Sequence, residues 1–302
     1  MLPVSRLSII GLGLLGSSVA RAVRAHMPGV TITGHDANPA HRETARAIQL
    51  CDDVTDTAGS AVIDAELVIL CVPVGAMGDV AAEIAPDLPH GVIISDVGSS
   101  KASILAALEA ALPGHHVIPA HPVAGTEQSG PEAGFSSLFH NRWCILTPPE
   151  GADAGKVAQL SAFWERLGAN IEIMDATHHD LVLAITSHLP HLIAYTIVGT
   201  ASDLETVTQS EVIKYSAGGF RDFTRIAASD PTMWRDVFLS NKDAVLEMLQ
   251  RFTEDLTGLQ KAIRLGDGER LFEHFTRTRA IRRGIIEQGQ DDARPDFGRG
   301  ER

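Results

Sequence analysis

Cysteine is scarce in this chain. Only Cys51, Cys71 and Cys144 occur in 302 residues. They are odd in number, widely spaced and form no C-x-x-C pair. That pattern excludes a disulfide framework and leads to the expectation of a reducing, cytoplasmic setting. Positive charge is also short. Lys and Arg number 25 against 38 Asp and Glu, a formal net charge of −13, which argues against nucleic acid or an anionic membrane as the partner. An anionic substrate would need a locally basic pocket. No basic leader precedes the first apolar run, so no targeting segment is expected. Nor is there an unbroken apolar run of membrane length. Leu181 to Val198 is rich in Leu, Ile, Val and Ala but is interrupted by Ser187, His188, Pro190 and His191, whereas a spanning helix needs ~20 mostly apolar residues. Its apolar positions fall on all sides, so it is expected to be a buried helix of a soluble protein.

What is present is an ordinary apolar content, 44% hydrophobic and 21% charged, enough for a core, in a length that suits two domains. The run Ser8-Ile9-Ile10-Gly11-Leu12-Gly13-Leu14-Leu15-Gly16 feeds an apolar strand into a G-x-G-x-x-G turn and then an apolar helix. Gly11 would permit the tight turn, Gly13 the approach of a pyrophosphate, and Gly16 close packing of helix on strand. The pyrophosphate would rest on the helix N-terminus, at Leu14 and Leu15. A second strand-like run, Val30 to Gly34, leads to Asp36, whose carboxylate would accept hydrogen bonds from an adenosine ribose.

Short apolar runs then alternate with helical patterns up to residue 174, which predicts an α/β domain with a doubly wound, Rossmann-type parallel sheet. Strands are expected at Glu66–Val72, Val92–Ser95, His116–Ile118, Trp143–Leu146 and Asn170–Met174. From residue 175 no strand signal remains. Thr177-His178-His179-Asp180 has a capping form that starts a helix, and Val245, Leu249, Phe252, Leu256, Leu259 and Ile263 form an apolar seam along one long helix. The expected organisation is a dinucleotide-binding domain at 1–174, an all-helical domain at 175–288 and a polar, disordered tail at 289–302.

Ligands of such sheets lie beyond the strand carboxyl ends. Three ends carry candidates. Val72 and Pro73 would line a nicotinamide pocket. Asp96 to Lys101 contains Ser99, a substrate contact or a plain helix N-cap. His121 opens a Pro-Gly loop, and an imidazole there suits proton transfer at neutral pH, with a satisfied loop histidine as the alternative. In the helical part, His188 and His191 lack the partners that would complete a metal set, so no metal is expected. Arg221 and Arg225, four apart after Gly218-Gly219, are either a carboxylate clamp or a solvated pair. The basic cluster Arg277 to Arg283 reads as a solvated face at a helix C-terminus.

Five motifs taken together, GLGLLG (11–16), DVGSSK (96–101), HPVAGTEQSG (121–130), SHLPH (187–191) and GGFRDFTRIAASDPTMWRD (218–236), give the chain its family. It resembles the prephenate/arogenate (cyclohexadienyl) dehydrogenases over essentially its whole length. The resemblance implies NAD-dependent oxidative decarboxylation of a cyclohexadienyl dicarboxylate. His121 would meet the ring hydroxyl with help from Ser99, although the adjacent Ser100 leaves the choice of serine open. His191 would lie in the pocket and Arg225 would hold a substrate carboxylate, with Thr126 and Gly219 as further substrate contacts. A homodimer joined through the helical domain is implied as well. Hydroxyacid dehydrogenases and imine reductases also join a Rossmann domain to a helical one, but their G-x-x-x-K-x-x-N setting is missing here. A non-catalytic NAD-sensing module would have no need of His121, Ser99 and Arg225 together.

Overall fold

A computed structural model describes residues 3–126, 128–208 and 217–287. The chain divides into two compact units, Met1–Leu246 and Glu247–Arg302. The first unit begins with six parallel strands: β1 (Arg6–Ile10), β2 (Thr31–His35), β3 (Asp53–Val54), β4 (Leu67–Leu70), β5 (Ile93–Asp96) and β6 (His116–Val117), in the order β3-β2-β1-β4-β5-β6. Helices α1 (Leu14–His26), α2 (Pro39–Ala47), α3 (Ala58–Val62), α4 (Met77–Ile84) and α5 (Ala102–Ala111) connect them. The central strand β4, Leu67-Val68-Ile69-Leu70, is apolar and buried at every position because both faces of the sheet are covered. Leu67 and Ile69 enter one core with Ile9, Val19 and Ile32, while Val68 and Leu70 enter the other with Ile10, Ile94 and Leu108. The strand order reverses between β1 and β4, which opens a crevice beyond their carboxyl ends.

The expected parallel sheet does not absorb the later strands. β7 (Ala120–Pro122), β8 (Trp143–Leu146) and β9 (Asn170–Ile173) form a separate sheet, with β7 antiparallel to β8 and β8 parallel to β9. Pro119 lies at the break, and without an N–H it cannot continue the β6 ladder. Helix α6 (Ala154–Arg166) covers this sheet, burying Phe163 and Trp164, and Phe139 meets Trp164 edge-on at 5.3 Å.

Beyond residue 174 the described residues are helical: α7 (Ala176–Leu183), a π turn (Ala184–His188), α8 (Leu189–Thr208), α9 (Gly218–Thr224), α10 (Pro231–Ser240), α11 (Lys242–Leu265) and α12 (Gly268–Glu287). Helix α7 starts two residues earlier than its Thr177 capping form suggested. Asp175 is the cap, accepting from His178 N at 2.8 Å, which frees Asp180 for another task. The π turn sits beside Pro190, whose missing N–H interrupts the regular ladder. Ala176–Asp203 is long and apolar enough to cross a membrane by length and composition. It is not buried on all sides as expected. His179, Asp180 and His188 are buried on the inner face, whereas Leu181, Ile185, Ile197 and Val198 are exposed. In the second unit the predicted seam is half-open, with Leu256 and Ile263 exposed, and Phe272, Phe275 and Ile281 of α12 are exposed too. Arg277, Arg279, Arg282 and Arg283 are exposed as expected. The expected tail at 289–302 lies outside the described residues.

One polar contact ties the two sheets. Asp96 at the end of β5 and Lys101 before α5 are fully buried and ion-paired. Asp96 also accepts from Gly98 N (2.7 Å) and Ala120 N (3.2 Å), while Lys101 Nζ donates to Ala120 O (2.8 Å). Burial raises the Asp96 carboxyl and lowers the Lys101 ammonium, and their mutual attraction opposes both shifts. Removing one member leaves the other charge dry and alone. Lys101→Met is therefore expected to destabilise the protein by about 3–5 kcal/mol in urea unfolding, with partial recovery when Asp96→Asn is added. An unchanged midpoint for Lys101→Met would contradict this account.

Candidate active site

The turn between β1 and α1 uses its three glycines differently. Gly11 has φ +101°, and a Cβ there would stand 2.4 Å from the Cys71 carbonyl oxygen of the neighbouring strand end. A Cβ at Gly16 would stand 1.9 Å from the Gly11 carbonyl oxygen, so the helix packs too closely for any side chain. Gly13 is open, with nothing within 4 Å of the corresponding point. Half-buried Gly13, Leu14 and Leu15 thus form a cradle at the α1 N-terminus, where first-turn N–H groups favour an anion.

Asp36 sits at the end of β2, accepting from Leu12 N (2.7 Å) and Asn38 N (2.9 Å). Several nearby polar groups are engaged elsewhere. His35 Nδ1 donates to Thr55 O (3.1 Å), and Asn38 Oδ1 accepts from Ala40 N as the α2 cap. Arg42 donates to the Asp36 and Ala37 carbonyls, and Arg46 pairs with Asp56 at 2.7 Å. The Arg46 hydrogen bond, more than any other contact, holds the Asp56 carboxyl below its usual range. The Asp36 carboxylate, with His41 Nδ1 3.3 Å from its Oδ2, suits a ribose diol and opposes a 2′-phosphate. Val72 borders the Gly11 turn, and exposed Pro73 follows it. The next turn approaches α10, since a Cβ at Gly75 would meet Asp236 Oδ2 at 3.0 Å.

His121 lies on β7 and is buried, its Nδ1 2.8 Å from His179 Nε2. His179 Nδ1 donates to Asp180 Oδ1 at 2.9 Å. The same carboxylate accepts from Lys101 N (2.7 Å) and Ala102 N (2.9 Å), so a residue of α7 caps α5. Neither serine is the cap. Ser100 is buried, its hydroxyl bonded to that of Ser240 at 2.7 Å, while Ser99 is only half-buried. Asn241 donates to Asp180 O (2.8 Å) and lies 3.1 Å from His188 Nδ1. Burial pushes His188 down to about 4. Burial also carries His121 well below its usual value, helped by the positive charge His179 and Lys101 would present, and burial lowers His179 as well. All three imidazoles are neutral at pH 7.

His191 stacks on Trp234, with ring centroids 3.7 Å apart at 25°, and donates from Nδ1 to Ser187 O at 2.8 Å. Its value is lowered by burial and by the charge of Arg225, which places the arginine near this ring. Trp234 also meets His188 at 6.0 Å, joining the two histidine groups. Thr126 and Gly219 are exposed and lie outside the hydrogen-bonded cluster; the Thr126 hydroxyl accepts from Gln128 N at 3.2 Å. His121 thus meets His179, backed by Asp180 and near Lys101; His191 meets Trp234 with Arg225 near it; and Ser99 presents its backbone to His188. His179, Asp180, Lys101 and Trp234 are the members of this region that the sequence alone did not single out. A groove of about 550 Å³ lined by Pro148, Val157 and Ile173 carries no ionisable side chain. Among the described residues no cluster could hold a metal ion.

Two family profiles cover this architecture: "Prephenate dehydrogenase, nucleotide-binding domain" over residues 19–173 and "Prephenate dehydrogenase, dimerization domain" over residues 175–277. The chain belongs to the prephenate dehydrogenase family. It is 47% identical over 289 residues to the cyclohexadienyl dehydrogenase of Zymomonas mobilis, spanning 96% of this chain and 98% of that protein. It is 34% identical to the prephenate dehydrogenase of Bacillus subtilis, spanning 92% and 75%. Its fold matches the crystal structure of prephenate dehydrogenase from Aquifex aeolicus in complex with hydroxyphenyl propionate and NAD+, with a TM-score of 0.87, 32% identity, and 93% and 98% of the chains covered.

The open Gly13 cradle and the held Asp36 carboxylate fit NAD: Gly13 to Gly16 would hold its diphosphate and Asp36 its adenosine ribose. NAD is expected to be strongly preferred over NADP. Asp36→Asn should reduce the ratio of the two kcat/KM values by about 10–100-fold, the weight of a charge-assisted hydrogen bond. Comparable kcat/KM for both cofactors in the unaltered protein would contradict the assignment.

Proposed function

We propose that the protein catalyses the NAD-dependent oxidative decarboxylation of a cyclohexadienyl dicarboxylate of the prephenate/arogenate class, giving 4-hydroxyphenylpyruvate or tyrosine. The observation that carries this reading is His121, a buried neutral imidazole at the carboxyl edge of the fold with its Nδ1 held by His179. Bound NAD supplies the acceptor for the hydride that leaves the ring carbinol carbon. The protein's part is to position and to move one proton.

His121 takes the ring-hydroxyl proton as that carbon is oxidised. The cyclohexadienone then loses its ring carboxylate as CO2, its electrons flow to the carbonyl oxygen, and His121 returns the proton to the phenolate. Aromaticity drives the second step, and the overall proton count is unchanged. Ser99 is assigned to the substrate hydroxyl or to the orientation of His121, because the Ser100 hydroxyl is already engaged with Ser240. Arg225 is assigned to a substrate carboxylate, and His191, flattened on Trp234, to one wall of the pocket. Thr126 and Gly219 are assigned to substrate as well and would have to close onto it from exposed positions.

The exposed apolar faces of α8, α11 and α12 are assigned to a homodimer, built through the helical half from residue 175 to 288, with residues 1–174 as the cofactor half. A family profile described as a dimerization domain supports this.

NADH formation with prephenate and with arogenate, matched by equimolar CO2, tests the activity; absence of turnover with both would refute it. His121→Ala is expected to lower kcat by about 10²–10⁴ with a modest change in KM. With His121 depressed below 6.5, the acid limb of kcat/KM should fall below pH 6.5, activity being lost as pH drops through the lowered value. A variant retaining near-normal kcat would remove His121 from the chemistry. Arg225→Ala should raise KM for the dicarboxylate about 10–100-fold and leave NAD affinity unchanged. Loss of NAD binding instead would place Arg225 at the cofactor or in the fold.

A further inference from the structure

The His121 ring has two nitrogens, and only a bare Nε2 could take a proton from a substrate beyond it. Which nitrogen carries the hydrogen is decided two side chains away. Asp180 presents a carboxylate whose three described partners are all donors: Lys101 N at 2.7 Å, Ala102 N at 2.9 Å and His179 Nδ1 at 2.9 Å. A carboxylate is an acceptor only, so the His179 proton is on Nδ1. A neutral imidazole has one N–H, so His179 Nε2 bears a lone pair. That lone pair faces His121 Nδ1 at 2.8 Å, the two rings set edge to face at 68°. Two bare nitrogens at that distance would repel, so His121 carries its hydrogen on Nδ1 and its lone pair on Nε2.

We infer that Asp180 and His179 are positioning residues, a two-step lock that holds His121 in the Nδ1–H tautomer with Nε2 ready to accept the substrate proton. The inference deepens the reading of His121 as the base and rests on it. Among the described residues, the titratable groups that act on the pair are Lys101, Asp96 and His188, and they fit the assignment. Lys101, paired with Asp96, and His188, beside Asn241, pack on it from β5, α5, the π turn and the α10–α11 junction. None of them offers a carboxylate to His121. Asp180 is itself fixed by capping α5 and by Asn241 Nδ2 on its carbonyl at 2.8 Å. When His121 accepts the substrate proton, the positive charge is shared with a His179 ring backed by that carboxylate. This is the arrangement by which a buried acid orients an imidazole and stabilises its cation.

The test needs no variant at first. In protein labelled with ¹⁵N-histidine, long-range ¹H–¹⁵N spectra distinguish the two tautomers, and His121 and His179 should both be Nδ1–H at pH 7.5. An Nε2–H signal for His121 would overturn the lock. Two substitutions then separate positioning from folding. His179→Gln keeps an acceptor at the place of Nε2 and should hold kcat within about fivefold of the unaltered enzyme, while His179→Leu removes it and should cost about 10²-fold in kcat. KM and NAD affinity should stay within about threefold in both. In His179→Leu the His121 signal should move towards Nε2–H. Normal kcat in folded His179→Leu, or equal losses in both variants, would overturn the lock. If His121→Ala is inactive while His179→Leu is unimpaired, the lock fails and the base assignment stands. An active His121→Ala defeats the base assignment itself.

Discussion

One carboxylate sets the architecture of the site. Asp180 leaves its own helix to cap another, satisfying the first N–H groups of α5, and with the same oxygens it holds His179 against His121. A buried carboxylate is tolerated only where its acceptor capacity is filled. The three donors come from the start of α5 and from α7, so filling it ties those two helices together. The requirement that stabilises a buried charge therefore also fixes the base. The Asp96–Lys101 pair, one step further in, applies the same rule to the junction between the two sheets.

The cofactor end depends on space rather than charge. Gly11 and Gly16 are closed to side chains by backbone oxygens, whereas Gly13 faces open space. The two crowded glycines shape the turn so that the third can admit an anion. Asp36 is held by Leu12 N of that same turn, so the groups proposed for the diphosphate and the ribose are tied by a direct hydrogen bond. Within the same unit, the turn at Gly75 after β4 approaches Asp236 of α10. Among the described residues nothing covers the exposed apolar side chains of α8 and α12, and burying them is the driving force that a second copy would supply.

The cofactor half was largely legible in the sequence because its signals are local. A strand, a glycine turn, a helix and an acid after the next strand lie within residues 6–36, and each is fixed by neighbours in the chain. The second sheet was not legible as a separate sheet. Its first strand has three residues and ends in Pro122, and the turn at Pro119 that divides it from β6 leaves no periodic mark. His121 stood out by its place after a strand, but its partner His179 is 58 residues away and was absorbed into an apparent capping box. The giveaway available in the sequence was Asp175, a better cap three residues before His178, which left Asp180 without a local role. The outward apolar face of α8 was misread as buried because composition reports hydrophobicity but not which chain covers it.

Catalysis by His121 requires the substrate hydroxyl to meet its Nε2. A crystal structure of the enzyme with NAD and 4-hydroxyphenylpyruvate measures this directly. The phenolic oxygen is expected about 2.6–3.2 Å from His121 Nε2, hydrogen-bonding distance for a general base, with His121 Nδ1 still on His179. A product whose phenolic oxygen is bound elsewhere, with His121 Nε2 turned to protein or solvent, would contradict it.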